Sequence, residues 1–146
     1  MTVIKKLNDL DITLSKLSRK KILSLVPTMG SLHKGHISLI KSALKYSDEV
    51  WVSIFVNPTQ FNDINDYKKY PVNYKEDINI IKSIDQNINI FIPGIDDIYG
   101  KKIIRDKFNF DGIDKILEGI KRPGHFDGVA TIVKKLFEIF NPNFVF

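Results

Sequence analysis

The sequence contains no cysteine among its 146 residues, and histidine occurs only three times. Disulfide bonds are therefore excluded, and a zinc site would have to take most of its ligands from carboxylates. Long apolar runs are also missing: none approaches the length of a membrane span, and residues 1–6 lack the apolar core of a signal peptide. We therefore expect a cytoplasmic protein with no membrane partner.

Charge is not concentrated in any one part of the chain. Lysine and arginine outnumber aspartate and glutamate by 22 to 17, which gives a net charge of +5. The lysines occur singly or in scattered pairs, without the interleaved aromatic residues of a nucleic-acid-binding surface. We therefore expect a solvated basic surface and no nucleic-acid partner. A basic module that binds RNA is an alternative, and the net charge is its only support.

The apolar pattern alternates between strands and helices along the chain. Leucines at positions 7, 10, 14 and 17 predict an N-terminal helix, which the basic cluster at 19–21 would end. The remaining predicted elements are strands at 22–26, 50–56 and 89–92, helices at 36–46, 74–84 and 129–140 (the last beginning at Asp127 or Gly128), a loop at 57–72, and loop with short pieces at 100–125.

This alternation predicts one α/β domain over residues 1–146, with a doubly wound parallel sheet and flanking helices. Ligands of such sheets bind beyond the carboxyl ends of the strands. Two loops leave predicted strand ends, one at 27–35 and one at 57–61. If their strands are adjacent, the two loops face the same crevice.

The loop at 27–36 contains two histidines and a glycine between a β-prone run and a helical pattern. His33, Gly35 and His36 therefore fall at the start of a helix, where unpaired backbone N–H groups and the helix dipole favour anions. The pattern predicts a phosphate site. A metal site is a second interpretation, and chance occurrence of two histidines three residues apart is a third.

The end of the sequence carries a further expectation. Residues 144–146 follow a Pro-containing turn and read as the opening of a buried strand. Because chains seldom terminate inside an apolar element, we expect this sequence to be a piece of a longer protein.

Four segments resemble the pantothenate synthetase family, the ligases that join pantoate and β-alanine using ATP. They occur in the family's order and spacing, and together they are far more specific than the His-x-Gly-His pattern alone. The matching segments are 27–36, 52–61, 117–126 and 128–137. The resemblance extends from about residue 22 to residue 146 and implies a Rossmann-like fold, with the family's C-terminal domain absent from this chain.

The resemblance implies a two-step reaction that uses ATP and Mg²⁺. The pantoate carboxylate attacks the α-phosphorus of ATP, and the amine of β-alanine then displaces AMP from the pantoyl adenylate. The resemblance assigns His33 and His36 to charge stabilisation on the departing pyrophosphate, with His36 as the acid. The implied ATP-binding residues are Met29, Gly30, Ser31, Leu32, His33, Lys34, Gly35 and His36.

The pantoate pocket implied by the resemblance contains Gln60, Val129 and Ile132. Gln60 would bind pantoate through its amide, which offers both donor and acceptor, and could also reach β-alanine. His125 would lie near the crevice, although a histidine that only stabilises a loop is an equal alternative. Asp77 could assist Mg²⁺, although a carboxylate on a helix face is more often simply solvated. Family members are usually homodimers, so we expect a homodimer.

The chain departs from the family pattern at four positions. Lys34 stands where an acidic residue is common, Asn65 where Glu is common, and Val72 and Asp127 where Arg is common. The chain also ends before the family's Gly-Glu-Lys-Asp segment, its second pantoate-binding Gln and its Ser-Arg loop. We therefore expect the 146-residue chain by itself to bind ATP weakly and to have little activity. Another nucleotidyltransferase with a His-x-Gly-His loop is the second enzymatic hypothesis.

Overall fold

The computed structural model describes residues 1–18, 20–112 and 121–146. Arg19 of the predicted basic cluster, and the segment 117–119 of the family resemblance, lie outside the described residues. Within these ranges, the chain forms a five-stranded parallel sheet with helices on both faces. The predicted doubly wound α/β class is confirmed.

The strands and helices follow one another in alternation, as the apolar pattern predicts. A short 3₁₀ helix, Pro58–Gln60, follows the third strand. The strands are β1 (Val3–Ile4), β2 (Leu23–Thr28), β3 (Glu49–Ile54), β4 (Asn89–Phe91) and β5 (Phe144–Val145). The helices are α1 (Leu7–Ser15), α2 (Lys34–Tyr46), α3 (Ile64–Lys69), α4 (Tyr74–Ile84), α5 (Ile95–Tyr99) and α6 (His125–Phe140).

The sheet order is β1-β4-β3-β2-β5, so β2 lies between β3 and β5. Because β2 and β3 are adjacent and parallel, their carboxyl ends meet at one edge, and the two loops expected to share a crevice do so. The strand expected at residue 144 is confirmed, because β5 pairs with β2 through Ser24 and Leu25. The expectation that this strand is buried is wrong, because Phe144 is 45% exposed and Val145 is 39% exposed at the edge of the sheet.

Alternate residues of each central strand point to opposite faces, which creates two separate cores. Leu25, Trp51 and Phe91 belong to the core that packs against α1 and α6, and the Trp51 ring lies 5.5 Å from that of Phe140. Val26, Val52 and Ile90 belong to the other core, which packs against α2 and α4. The near-continuous apolar strands in the sequence are explained by this burial on both faces.

Several element boundaries predicted from the sequence are wrong. β2 extends to Thr28 rather than ending at residue 26, because the pairing with β3 continues to Ile54. The strand predicted at 50–56 ends at Ile54, and residues 57–72 contain the 3₁₀ helix and α3 instead of a continuous loop. The short elements β1 and α5 are additional. Tertiary pairing and local turns decide these boundaries, and the apolar pattern does not contain that information.

The starts of α2 and α6 also differ from their predicted positions. α2 begins at Lys34, so His36 lies within its first turn. α6 begins at His125 rather than at Asp127 or Gly128, because Gly124 adopts a left-handed conformation (φ +78°) and turns the chain into the helix. In the described residues, no helix is long and apolar enough to cross a membrane.

Candidate active site

The loop between β2 and α2 makes a tight left-handed turn before the helix begins. Gly30 has φ +79° and Ser31 has φ +54°. A Cβ atom at Gly30 would lie 2.8 Å from Oδ2 of Asp77 and 3.0 Å from a methyl carbon of Ile54. Glycine is therefore required at position 30 by the backbone conformation and by the close approach of Asp77.

Asp77 of α4 holds this loop in place. Its Oδ1 accepts a hydrogen bond from the backbone N–H of Leu32 (2.8 Å), and its Oδ2 accepts one from that of Ser31 (3.0 Å). The residue is 2% exposed, so the interpretation of Asp77 as a solvated helix-face carboxylate is wrong. A buried carboxylate needs such hydrogen bonds because burial without partners is costly. Asp77 thereby ties α4 to the loop at 27–36, which we name the phosphate loop after its predicted role.

His33 and His36 form reciprocal hydrogen bonds with the backbone at the start of α2. The N–H of Gly35 donates to Nδ1 of His33 (3.1 Å), and the N–H of His33 donates to Nδ1 of His36 (3.3 Å). Because both Nδ1 atoms accept, each neutral ring carries its hydrogen on Nε2. The two ring centroids are 4.1 Å apart. The pair can therefore present two Nε2–H donors to an anion at the helix N-terminus.

The environment keeps His36 neutral. Partial burial, followed by the nearby His33 ring, lowers the pKa of His36 below its usual 6.5, and Asp77 opposes this effect only in part. An anion bound beside the ring would oppose this shift, because a negative neighbour favours the protonated imidazole. A bound phosphate would therefore raise the pKa of His36.

The loop after β3 is organised by Asn57, which the sequence analysis did not single out. Asn57 is fully buried, and its Nδ2 donates to the backbone oxygen of Gly128 (2.9 Å) and to Oε1 of Gln60 (3.1 Å). Its Oδ1 accepts from the Thr59 N–H (3.3 Å) and the Tyr99 hydroxyl (2.5 Å). A polar residue directly after a buried strand, followed by proline, was the sequence signal that could have identified it.

The 3₁₀ helix lies directly against α6 at Gly128. A Cβ atom there would lie 2.3 Å from the carbonyl oxygen of Thr59, so a larger residue cannot occupy this position without moving the backbone. This close approach sets the position of Gln60 relative to Val129 and Ile132. Gln60 is 9% exposed, and its Nε2 lies 2.7 Å from Sδ of Met29.

A cavity of about 260 Å³ at the carboxyl ends of β2 and β3 brings predicted residues together. Met29, His36, Gln60, Val129 and Ile132 all line it, so both predicted loops and the predicted face of α6 contribute. The remaining wall is mostly apolar or aromatic, with two polar residues, Thr28 and Asn57. The other residues of this wall are Pro27, Phe55, Tyr70, Val133 and Leu136.

A second cavity of about 550 Å³ shares Met29, Gln60 and Tyr70 with the first and is more polar. His125 lines this cavity, and its Nδ1 lies 2.7 Å from the backbone oxygen of Gln60. Both interpretations of His125 therefore hold, because the residue borders the crevice and also stabilises the loop that contains Gln60. The charged residues around this cavity are Asp63, Asp66, Lys69, Lys121 and Arg122.

Asp77 faces a different hollow. Ser31, Leu32 and Asp77 line a depression of about 390 Å³, which shares Pro71 with the larger crevice cavity. Both Asp77 oxygens accept backbone hydrogen bonds, so the carboxylate is already engaged in holding the loop. Direct Mg²⁺ ligation by Asp77 therefore does not fit this geometry.

The four departures from the family pattern lie outside the two crevice cavities. Lys34 is exposed at the start of α2, and Asn65 and Val72 are exposed on α3 and beyond it. Asp127 accepts a hydrogen bond from the backbone N–H of Phe108 (2.9 Å), which fastens the extended segment before residue 113 to α6. None of these four side chains therefore forms part of the wall of either cavity.

Comparison with known proteins gives consistent results. The family model described as pantoate-beta-alanine ligase matches residues 2–146. Pantothenate synthetase of Flavobacterium psychrophilum is 52% identical over 126 residues, which are 86% of this chain and 45% of that protein. Pantothenate synthetase of Buchnera aphidicola is 48% identical over 149 residues, which cover 100% of this chain and 52% of that protein.

A solved structure gives the same relationship. Pantoate-beta-alanine ligase from Francisella tularensis, complexed with beta-gamma ATP and beta-alanine, matches with a TM-score of 0.93 and 44% identity. The match covers 99% of this chain and 55% of that one. The chain spans about half the length of the curated relatives it matches. With a family model that covers residues 2–146 and relatives that share both the sequence and the fold, this chain belongs to the pantoate-beta-alanine ligase family.

Proposed function

We propose that the protein containing this chain is an AMP-forming ligase that joins pantoate to β-alanine at the expense of ATP. The observation that carries the proposal is that His36 of the phosphate loop and Gln60 of the neighbouring loop line the same cavity. A site with anion donors at one end and an amide beside apolar walls suits a triphosphate together with a small hydroxy acid that carries methyl groups.

The first step forms pantoyl adenylate. An oxygen of the pantoate carboxylate attacks the α-phosphorus of ATP, and the bond between that phosphorus and the bridging oxygen breaks to release pyrophosphate. His33 and His36 donate Nε2–H groups to the phosphate oxygens on which charge develops. Gln60 orients pantoate, and Val129 and Ile132 contact its apolar part. Met29, Gly30, Ser31, Leu32, Lys34 and Gly35 form the rest of the nucleotide loop.

The second step transfers the acyl group. The amine of β-alanine attacks the acyl carbon of pantoyl adenylate, the bond from that carbon to the phosphate oxygen breaks, and AMP and a proton leave. Gln60 and His125 border the second cavity, which leads to the acyl group. When bound, Mg²⁺ would neutralise phosphate charge. We assign it no protein ligand among the described residues, because Asp77 does not fit that role.

The test uses the protein produced from its complete reading frame. Release of pyrophosphate from ATP should require pantoate, and addition of β-alanine should yield pantothenate and AMP. Gln60→Ala should abolish the dependence on pantoate, whereas Gln86→Ala, which removes an exposed glutamine in the turn after α4, should leave it unchanged. Transfer of a nucleotide to a phosphate ester, without pantoate, would instead establish the second enzymatic hypothesis.

The proposal extends to assembly and location. A cytoplasmic homodimer is expected from the family resemblance and from the absence of cysteine. Light scattering should give twice the mass of one chain, and cell fractionation should recover the protein with cytoplasmic markers. A monomeric mass or recovery with the membranes would refute the corresponding part.

A further inference from the structure

The orientation of the Asn57 amide is determined by backbone groups. The N–H of Thr59 can only donate, so the atom it contacts must be Oδ1 (3.3 Å). The carbonyl of Gly128 can only accept, so the atom it contacts must be Nδ2 (2.9 Å). The side-chain oxygen and nitrogen of Asn57 are therefore distinguishable by their partners, and the amide cannot rotate by half a turn without losing both hydrogen bonds.

This orientation determines the direction of the next amide in the network. The second hydrogen of Asn57 Nδ2 is donated to Oε1 of Gln60 at 3.1 Å. The Nε2 atom of Gln60 then lies on the opposite side, beside Sδ of Met29, which lines both crevice cavities. One N–H of Gln60 Nε2 is donated to Sδ of Met29, which leaves the second N–H for the substrate space, and the Gln60 oxygen is directed back toward Asn57.

Tyr99 completes the network from outside the crevice. Its hydroxyl donates to Oδ1 of Asn57 at 2.5 Å and also contacts the Thr59 hydroxyl at 3.0 Å. Tyr99 is 8% exposed, and Nζ of Lys135 lies 5.3 Å from the centre of its ring. Tyr99 does not line either crevice cavity, and its hydroxyl is linked to Gln60 through the side chain of Asn57.

We propose that Tyr99 is a positioning residue: together with the backbone of Thr59 and Gly128 it fixes the Asn57 amide, which in turn holds the Gln60 amide as a hydrogen-bond donor toward the substrate. This inference rests on the proposed function and sharpens it. A donor amide recognises the carboxylate and hydroxyl oxygens of pantoate, and it does not suit an ammonium group, which needs an acceptor. The orientation of the Gln60 amide therefore favours contact with substrate oxygens over contact with the amine of β-alanine.

Burial also keeps the Tyr99 hydroxyl in its donating form. Desolvation raises the pKa of Tyr99 above its usual value, although the Thr59 hydroxyl and the nearby Arg105 oppose this rise. The phenol therefore stays protonated throughout the range in which the enzyme would work. Because Oδ1 of Asn57 has no hydrogen, the shared proton of this short contact must come from Tyr99.

The test compares Tyr99→Phe with Tyr46→Phe in the protein from the complete reading frame. Both changes remove one phenolic hydroxyl, but Tyr46 is 61% exposed and lies outside the network. Tyr99→Phe should raise KM for pantoate about three- to tenfold, as expected for one weakened hydrogen-bond network, with KM for ATP nearly unchanged. Tyr46→Phe should change neither. Equal rises in both KM values, or no rise for pantoate, would overturn the positioning role.

A second readout does not depend on turnover. The side-chain NH₂ resonances of Gln60 can be assigned in a ¹⁵N–¹H spectrum by their loss in Gln60→Glu. They should shift in Tyr99→Phe and stay in place in Tyr46→Phe, and an unmoved pair would refute the coupling. If these resonances shift while the unaltered protein shows no pantoate-dependent reaction, the proposed function fails and the coupling between Tyr99 and Gln60 stands.

Discussion

Replacement of Asp77 by asparagine tests whether this carboxylate holds the phosphate loop. The change keeps the size of the side chain but replaces one oxygen by an NH₂ group. In the unaltered protein, both Asp77 oxygens accept backbone hydrogen bonds, from Leu32 at 2.8 Å and from Ser31 at 3.0 Å. In the variant, one of these N–H groups must face another donor.

The expected loss of stability follows from these two contacts. Hydrogen bonds to charged groups contribute about 1.5–3 kcal/mol each, and a buried donor left without a partner costs about 1–3 kcal/mol. Leu32 is 9% exposed, so we expect the amide oxygen to keep that bond, whereas the exposed Ser31 can turn its N–H toward water. A smaller desolvation penalty for the neutral side chain offsets part of the loss. We expect a net destabilisation of about 1–3 kcal/mol.

The assay measures unfolding in denaturant together with the KM for ATP and the dependence on Mg²⁺. Asp77→Asn should lower the unfolding free energy and raise KM for ATP, because Met29–Gly35 of the loop are no longer held, while the half-saturating Mg²⁺ concentration should not change. The matched control is Glu76→Gln, which removes the same charge from the adjacent exposed position. Stability equal to that of the control, combined with a greater need for Mg²⁺, would refute the loop-holding role and favour metal binding.

Two further predictions concern α6 and the histidines. Gly128→Ala should cost about 1–3 kcal/mol as a case of overpacking, because the new Cβ would lie 2.3 Å from the Thr59 carbonyl oxygen; an unchanged unfolding midpoint would contradict this. His36 should titrate below pH 6.5 in an NMR experiment, and ATP should raise its pKa. The pKa of His36 is lower in the folded state than in the unfolded state, so the unfolded state binds more protons below about pH 6.5. The free energy of unfolding should therefore fall with decreasing pH, and His36→Gln should make this pH dependence less steep. A titration midpoint above 6.5 without ligand would refute the cause assigned here.

Much of the fold could be predicted because its signals are local. The apolar runs identified the central strands, although with other ends, and the helical spacing identified α4 at Tyr74–Ile84 with the bounds observed. The sequence did not predict the short elements β1 and α5, because they have too few residues for a periodic pattern and are held by tertiary contacts. Asp97, for example, accepts from the N–H groups of Leu7 and Gly94 and so links α1 to α5.

The candidate site likewise has a part that local sequence signals predict and a part that only the fold brings together. The sequence alone determined the phosphate loop, because a β-prone run, a glycine-containing turn with His33 and His36, and a helical spacing are consecutive in the chain. It also determined, through the family resemblance, that Gln60, Val129 and Ile132 belong with that loop. The role of each of these residues in binding stays a prediction.

Only the tertiary structure decided what supports these residues. Asp77 lies 45 positions from Leu32, and Tyr99 lies 42 positions from Asn57, so no local pattern relates them. Their hydrogen bonds exist because α4 and α5 follow neighbouring strands of one parallel sheet and return to the edge where β2 and β3 end. The residues of the phosphate loop are therefore adjacent in sequence, whereas the groups that orient them come together only when the chain folds.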